Sequence, residues 1–232
     1  MAKKKRSSSI KSGTIHGETH VDSRAYGEHV RAARGSIKPA KLNKTLKQNA
    51  LDMPRVNAQA KVIFDALKPY RMDCYDGGWW SRLVAVFKRH YQAGHPPNYS
   101  LLEKSELNEQ CKVDGLLSGL RAGVVMRKQE VDVQLEYSVH PSFRSEAGIT
   151  KYSLSVIGVF IHLKDLTAVS EVADFEKLSL KNKVMPLKAM LAIRKKPDVV
   201  VVCVKVGGIY DDGGPTYSEK MNGMRIVKVS AL

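Results

Sequence analysis

The chain has 232 residues, of which 43 % are hydrophobic, and this composition excludes wholesale disorder and suits one medium domain or two small ones. The formal net charge is +15, and residues 1–50 hold 12 Lys and Arg against 3 Asp and Glu, so the positive charge is concentrated at the start of the chain. The longest apolar run, residues 199–204, is too short to span a membrane, so we expect no membrane insertion.

The first residues and the cysteines also indicate a compartment. Three serines at positions 7–9 follow the opening lysines, where a signal peptide needs an apolar stretch, so we expect a cytoplasmic protein. Cys74, Cys111 and Cys203 are far apart in the sequence and form no Cys-x-x-Cys pair. We therefore expect buried free thiols in a reducing compartment.

Residues 1–51 are predicted to form a basic arm that contains a hairpin and a connector. The alternation over residues 14–21, the turn residues at 22–27 and a returning segment at 28–35 predict a β-hairpin. A hairpin alone is marginally stable, so we expect it to dock on the body or on a partner. In the connector, residues 36–51, every third residue from 38 to 47 is lysine, which would give a helix a broad basic face.

Residues 52–118 are predicted to form a helical segment. Asp52 is placed to cap a helix over residues 52–70, which Pro69 ends. A second helix is expected at about residues 79–92, after two glycines.

Two tryptophans and a capping-box pattern add detail to the prediction for this segment. Trp80 lies on the apolar stripe of the second helix, whereas Trp79 is predicted at its rim as an interface residue. Ser100 and Glu103 are spaced as a capping box and predict a third, short helix that fades by Gly115.

Residues 119–232 are predicted to form an antiparallel β-sandwich. Strict alternation over residues 131–139 predicts a half-exposed strand, and residues 152–163 predict a longer, more buried one. Glycines and prolines separate further predicted strands at residues 190–193, 199–206 and 224–229. Residues 167–180 fit either a strand pair or a helical turn. The expected fold class is therefore α+β: a basic arm with a β-hairpin, a short helical segment and a C-terminal β-sandwich.

Four segments carry a resemblance to known proteins: residues 11–17 (Lys-Ser-Gly-Thr-Ile-His-Gly), residues 30–35 (Val-Arg-Ala-Ala-Arg-Gly), and the apolar runs 156–160 and 199–204. With these segments in this order, the chain resembles uncharacterised bacterial proteins that have a basic N-terminal hairpin, paired helices and a C-terminal immunoglobulin-like β-sandwich. The resemblance implies that architecture. It implies no activity, no cofactor and no catalytic residue.

The basic arm is the main functional feature of the sequence. Lysine and arginine bind a phosphate backbone with salt-dependent, largely sequence-independent affinity. Tyr26 is the only aromatic residue in residues 1–50, which argues against a surface on which bases stack. The predicted nucleic-acid-binding residues are Lys3, Lys4, Lys5, Arg6, Lys11, Arg24, Arg31, Arg34, Lys38, Lys41, Lys44 and Lys47. A basic tail also serves as a solubilising segment, or contacts acidic proteins and membrane surfaces.

His16, Glu18 and His20 form a candidate metal site. On one extended strand these alternate side chains share a face, and two imidazoles with a carboxylate suit zinc or a non-haem iron. The alternative is that the three residues are the polar face of an exposed strand.

The function expected from these features is a non-enzymatic, nucleic-acid-associated protein without a cofactor. The partner would be DNA, RNA or another polyanion, and the body would provide a module for self-association. The alternative is a structural assembly subunit of a shell or an appendage, in which the sandwich tiles and the N-terminal hairpin docks on a neighbour. A metal-dependent enzyme is the third hypothesis, although the chain lacks the Gly-x-Ser-x-Gly motif of a nucleophile elbow.

Overall fold

Antiparallel strands and a few helices build the protein, which confirms the predicted α+β class with a sandwich-like C-terminal region. The computed structural model describes residues 13–15, 18–23, 27–32, 43–71, 73–74, 77–93, 98–144, 146, 148–180, 185–216 and 220–231. The strands are β1 (Gly13–Ile15), β2 (Glu18–Ser23), β3 (Gly27–Ala32), β4 (Leu117–Met126), β5 (Glu130–Val139), β6 (Ile149–His162), β7 (Thr167–Ser179), β8 (Met185–Ala192), β9 (Val199–Tyr210) and β10 (Asn222–Ala231). The α-helices are α1 (Lys44–Leu67), α2 (Trp79–Gln92) and α3 (Pro141–Arg144), and short 3-10 helices cover Lys68–Tyr70, Tyr99–Leu102 and Val113–Gly115.

The chain divides into two compact units, Met1–Gln48 and Asn49–Leu232. In the first unit, β1, β2 and β3 form an antiparallel sheet in that order. The predicted hairpin is therefore present, but its first strand is divided: β1 ends at Ile15, and Ile15 pairs with Glu18 at the start of β2. Period-two alternation shows which side chains share a face of a strand, but it does not distinguish one long strand from two short ones.

Helix α1 begins eight residues before the predicted start. Asn43 precedes it, and the Asn43 Oδ1 atom accepts the backbone N–H of Leu46 at 2.8 Å, which is the usual geometry of an N-cap. Asp52 and Pro54 lie inside the helix, so the predicted cap at Asp52 is wrong. The prediction failed because the first turns of α1 are exposed and carry no apolar stripe.

The third predicted helix is also wrong. Residues 104–107 run beside β10 instead, where the N–H of Lys104 donates to the Ile226 carbonyl and the N–H of Leu107 to the Met224 carbonyl, each at 2.8 Å. Glu103 does not cap a helix, because its carboxylate accepts the N–H of Val229 at 3.3 Å. The ambiguous stretch at residues 167–180 is mostly one strand, the 13-residue β7.

A four-stranded sheet in the order β10-β9-β6-β7 lies at the centre of the second unit. Both faces of its inner strands are buried, so β6 and β9 are almost continuously apolar. Val156 and Val202 belong to one hydrophobic core, and their neighbours Ile157 and Val201 belong to another.

The first core lies between this sheet and a three-stranded sheet in the order β4-β5-β8. Alternate residues of β5 face inward and are buried, including Val131, Val133 and Leu135. The other residues of β5 are more exposed, because this face of the sheet is the outside of the sandwich.

The second core lies between the four-stranded sheet and the helices. Val56 and Ile63 of α1 and Phe87 of α2 are fully buried with Ile157 and Val201 of the sheet. The residues predicted as a helical segment therefore share a core with those predicted as the sandwich. Within the described ranges, no helix is long and apolar enough to cross a membrane.

Candidate functional site

Three of the twelve arm residues predicted to bind nucleic acid are among those the structure describes. Arg31 lies in β3, and Lys44 and Lys47 lie in the first turns of α1, where their side chains are exposed. The other nine lie outside the described residues: Lys3, Lys4, Lys5, Arg6, Lys11, Arg24, Arg34, Lys38 and Lys41.

Lys44 and Lys47 occupy a position that a helix does not favour for cations. The start of a helix carries the positive end of its dipole, so carboxylates stabilise the first turn and ammonium groups oppose it. The first turn of α1 has no acidic residue to offset these lysines.

Many carboxylates of the second unit form ion pairs with cations of the same unit, whereas the first turn of α1 has no acid to pair with its lysines. Lys205 Nζ lies 2.7 Å from Asp73 Oδ1, and Arg127 Nη2 lies 2.6 Å from Asp132 Oδ2. Residues 51–232 hold 26 Lys and Arg against 20 Asp and Glu, so the body has enough cations to balance its own acids. The further pairs are Lys61–Asp65, Arg82–Glu109, Arg194–Glu171, Lys195–Asp165, Lys228–Glu103, and Arg225 with both Glu106 and Asp114.

The structure describes two of the three predicted metal ligands. Glu18 and His20 lie in β2, while His16 lies outside the described residues. The single strand on which the prediction relied is two strands, since Ile15 ends β1 and pairs back onto Glu18. Within the described ranges, no three His, Cys, Asp or Glu side chains are grouped so that they would hold a metal ion. Metal binding through His16 therefore stays a prediction.

Both adjacent tryptophans pack against the second core, and Trp79, the predicted rim residue, is the more deeply buried of the two. Trp79 is only 3 % exposed, and its ring stacks on Phe64 with centroids 5.2 Å apart. The guanidinium of Arg71 lies over the same Phe64 ring at 3.9 Å. Trp80 is only partly buried. Trp79 therefore belongs to the core and not to the rim, because its ring fills the space between α1 and α2.

A cleft of about 270 Å³ lies between α2 and residues 102–112, and no sequence pattern predicts it. Trp79, Arg82 and Leu83 form its α2 wall, and Glu106 and Glu109 lie on the opposite wall. Arg82 spans the two walls, with its Nε atom 3.2 Å from Glu109 Oε1 and its Nη2 group donating to the Leu107 carbonyl at 3.3 Å.

Glu106 is the most unusual charged group of this cleft. Its side chain is 13 % exposed, and its Oε2 atom accepts the backbone N–H of Val113 at 3.3 Å. Burial raises the pKa of Glu106 to about 7, although this N–H and the Arg225 guanidinium, 3.6 Å away, favour the ionised form. Nothing in the sequence marked Glu106, because Arg225 comes from a distant strand.

A carboxyl that titrates near neutral pH can exchange a proton, whereas the buried cysteine thiols of the second unit do not ionise at that pH. Burial raises the pKa of the Cys111 thiol to about 11 and that of the Cys74 thiol to about 12. Burial also raises the pKa of Cys203. All three thiols are therefore protonated at neutral pH, and the predicted burial of the free cysteines is confirmed.

Comparison with known proteins adds no assignment to these sites. No protein-family model matches the chain, and no curated protein is significantly similar to it.

Proposed function

We propose that the protein binds the phosphate backbone of nucleic acid through its basic N-terminal arm and that the second unit is the stable module that carries this arm. The observation that supports the proposal most is the distribution of charge. Residues 1–50 carry 12 cationic side chains and only 3 carboxylates, so most of these cations have no acid within the arm.

The ion pairs of the body support the same proposal. Nine carboxylates of the described residues each lie within 4.0 Å of a lysine or arginine of the second unit. Such pairs contribute little stability when they are exposed, but they offset the charge of the acids that take part. Pairing within the body leaves fewer of its acids to compete for the cations of the arm, which favours an external polyanion such as DNA or RNA.

The composition of the arm favours binding to backbone over reading of sequence. Base recognition on single strands requires aromatic side chains for stacking, and residues 1–50 contain Tyr26 alone. Contacts from lysine and arginine to phosphates position a protein on nucleic acid but do not select a sequence. We therefore expect similar affinity for oligonucleotides of unrelated sequence.

The test is a salt series on the full-length protein with a fluorescently labelled duplex of random sequence. Counterion release predicts that the logarithm of the binding constant falls linearly with the logarithm of salt concentration, with a slope of about −0.9 for each phosphate contacted. Binding that does not weaken as salt rises would exclude the proposed mode of recognition. A heparin competitor that releases the duplex would indicate a general polyanion site instead of one specific for nucleic acid.

A further inference from the structure

The two sheets of the second unit have four edge strands, and the sequence protects three of them against pairing with another chain. The edge at β10 is covered, because residues 104–107 form main-chain hydrogen bonds with it. The edge strand β4 has an irregular register between Ser118 and Arg121, with Gly119 at φ +65°. The edge strand β8 carries Pro186 and the exposed Lys188. Coverage, bulges, prolines and lysines are the usual means by which sheet edges avoid association.

The fourth edge strand, β7, has no bulge, proline or lysine over its first nine residues, and the charged side chains of this stretch are Glu171 and Asp174. It pairs with β6 in regular register from Thr167 to Phe175, and in the part of the chain that the structure describes it has no partner strand on its other side. Val169 is 45 % exposed and Val172 is 39 % exposed, although strand valines are usually buried. Two exposed apolar residues on a long open edge are typical of a strand that pairs with another chain.

We propose that β7 pairs antiparallel with β7 of a second copy of this chain, in a register centred on Val172. Residues opposite each other in an antiparallel pair lie on the same face, so a symmetric pairing of two copies must be centred on a residue. With Val172 at the centre, Val172 faces itself and Val169 faces Phe175 of the second copy. Each pair brings apolar side chains together, and such pairs stabilise a sheet.

The charges of β7 select this centre over its neighbours. With Val172 at the centre, Glu171 faces Ala173 and Asp174 faces Ser170, so neither carboxylate faces another. Centring on Glu171 or on Asp174 would instead oppose two identical carboxylates, which destabilises a strand pair. Centring on Ala173 would put Asp174 opposite Val172. Glu171 is further compensated by Arg194, whose Nε atom lies 3.1 Å from Glu171 Oε1.

Because the contact uses only the second unit, it is independent of what the arm binds. The measurement is the molar mass of the full-length protein in solution over a range of concentrations, by light scattering. We expect a dimer that dissociates on dilution. Val172→Lys and Val172→Glu should each be monomeric, because each places like charges opposite one another. An equimolar mixture of the two variants should recover the dimer, because lysine then faces glutamate.

The matched control is Val125→Lys, which makes the same change at an exposed valine of β4, 53 % exposed, on the outer face of the other sheet. It should leave the dimer intact, and circular dichroism should show that all these variants are folded. In Val172→Cys the new thiol would be the exposed one, since Cys74, Cys111 and Cys203 are buried. Oxidation should then link two chains on a non-reducing gel, which tests the register even if a charged variant fails to fold.

Two results would overturn the proposal. One is a wild-type protein that stays monomeric at every concentration. The other is a folded Val172→Lys variant that remains as dimeric as the Val125→Lys control.

Discussion

Glu106 shows how the environment of one carboxyl affects the stability of the whole fold. Its pKa rises from the usual 4.5 to about 7, because the cost of removing water from the ionised carboxylate is larger than the stabilisation that Arg225 gives it. The folded state therefore holds this proton more tightly than the unfolded chain does. The unfolding free energy contributed by the group is fully present below about pH 4.5 and is lost as the pH rises to about 7.

Glu106→Gln should therefore raise the stability of the protein at pH 8 relative to wild type. The amide keeps an oxygen that accepts the Val113 N–H but carries no charge to desolvate. We expect a gain of about 1–3 kcal/mol in the unfolding free energy at pH 8 and none at pH 4, measured by urea unfolding. Glu109→Gln is the control, because that side chain lies on the same segment but is 58 % exposed. A Glu106→Gln variant that is less stable than wild type at pH 8 would show that the pair with Arg225 outweighs burial.

At the residue scale, little of the candidate site could be predicted from the sequence. Single-residue chemistry in this chain depends on long-range contacts, such as Glu106 with Arg225 and Lys205 with Asp73. No spacing rule connects such partners. The same limit explains Trp79, since adjacent residues on a helix differ by about 100° in direction and only the packing of α1 decides which ring is buried.

At the scale of elements, the strands with a clear apolar or alternating pattern were predicted, whereas the edge strand β4 and the start of α1 were not. The apolar run at residues 199–206 and the alternation at residues 131–139 both lie in strands. A strand buried on both faces is continuously apolar, and a strand buried on one face alternates, so both kinds can be recognised. Helix α2 was also predicted at its observed bounds. The start of α1 was missed because Asn43, which caps it, precedes a polar stretch that has no periodic apolar face. The helix predicted from the capping-box spacing of Ser100 and Glu103 does not form, because residues 104–107 pair with β10 and Glu103 accepts the N–H of Val229.

The close approach of the two sheets gives a prediction at this scale. A Cβ atom added at Gly158 of β6 would lie 2.7 Å from Leu191 Cδ1 of β8, and Leu191 is only 1 % exposed and has little room to move. Gly158→Ala should therefore lower the unfolding free energy by about 1–3 kcal/mol. Gly123→Ala is the matched control on β4, where the nearest atoms are 3.9 Å away. Its effect should stay within about 0.5 kcal/mol, and equal effects at both glycines would contradict this account of the sheet packing.

At the scale of the whole molecule, charge and hydrophobic packing are assigned to different parts of the sequence. Residues 51–232 supply both hydrophobic cores and carry a net charge of +6, while residues 1–50 carry +9. The α+β class could be predicted because composition and periodicity average over many residues. The packing of the helices on one face of the four-stranded sheet could not be predicted. A buried strand is apolar whether a helix layer or a second sheet covers it, so its sequence does not show which one does.

The central claim is that cations of the arm, and not the net charge of the chain, bind the polyanion. Two full-length variants separate these causes. In the arm variant, Lys3, Lys4, Lys5, Arg6 and Lys11 are changed to Gln. In the body variant, five exposed lysines of the second unit are changed to Gln, namely Lys68, Lys128, Lys151, Lys164 and Lys196. Each variant loses five positive charges, so the two have the same net charge.

Fluorescence anisotropy of a random-sequence duplex across a salt series is the most direct measurement. The arm variant should bind more weakly, and the magnitude of its salt slope should fall by about 4, because up to five phosphate contacts are lost. The body variant should keep a slope close to that of the wild type. Equal losses of affinity and slope in the two variants would mean that net charge alone drives binding, which would contradict a specific role for the arm.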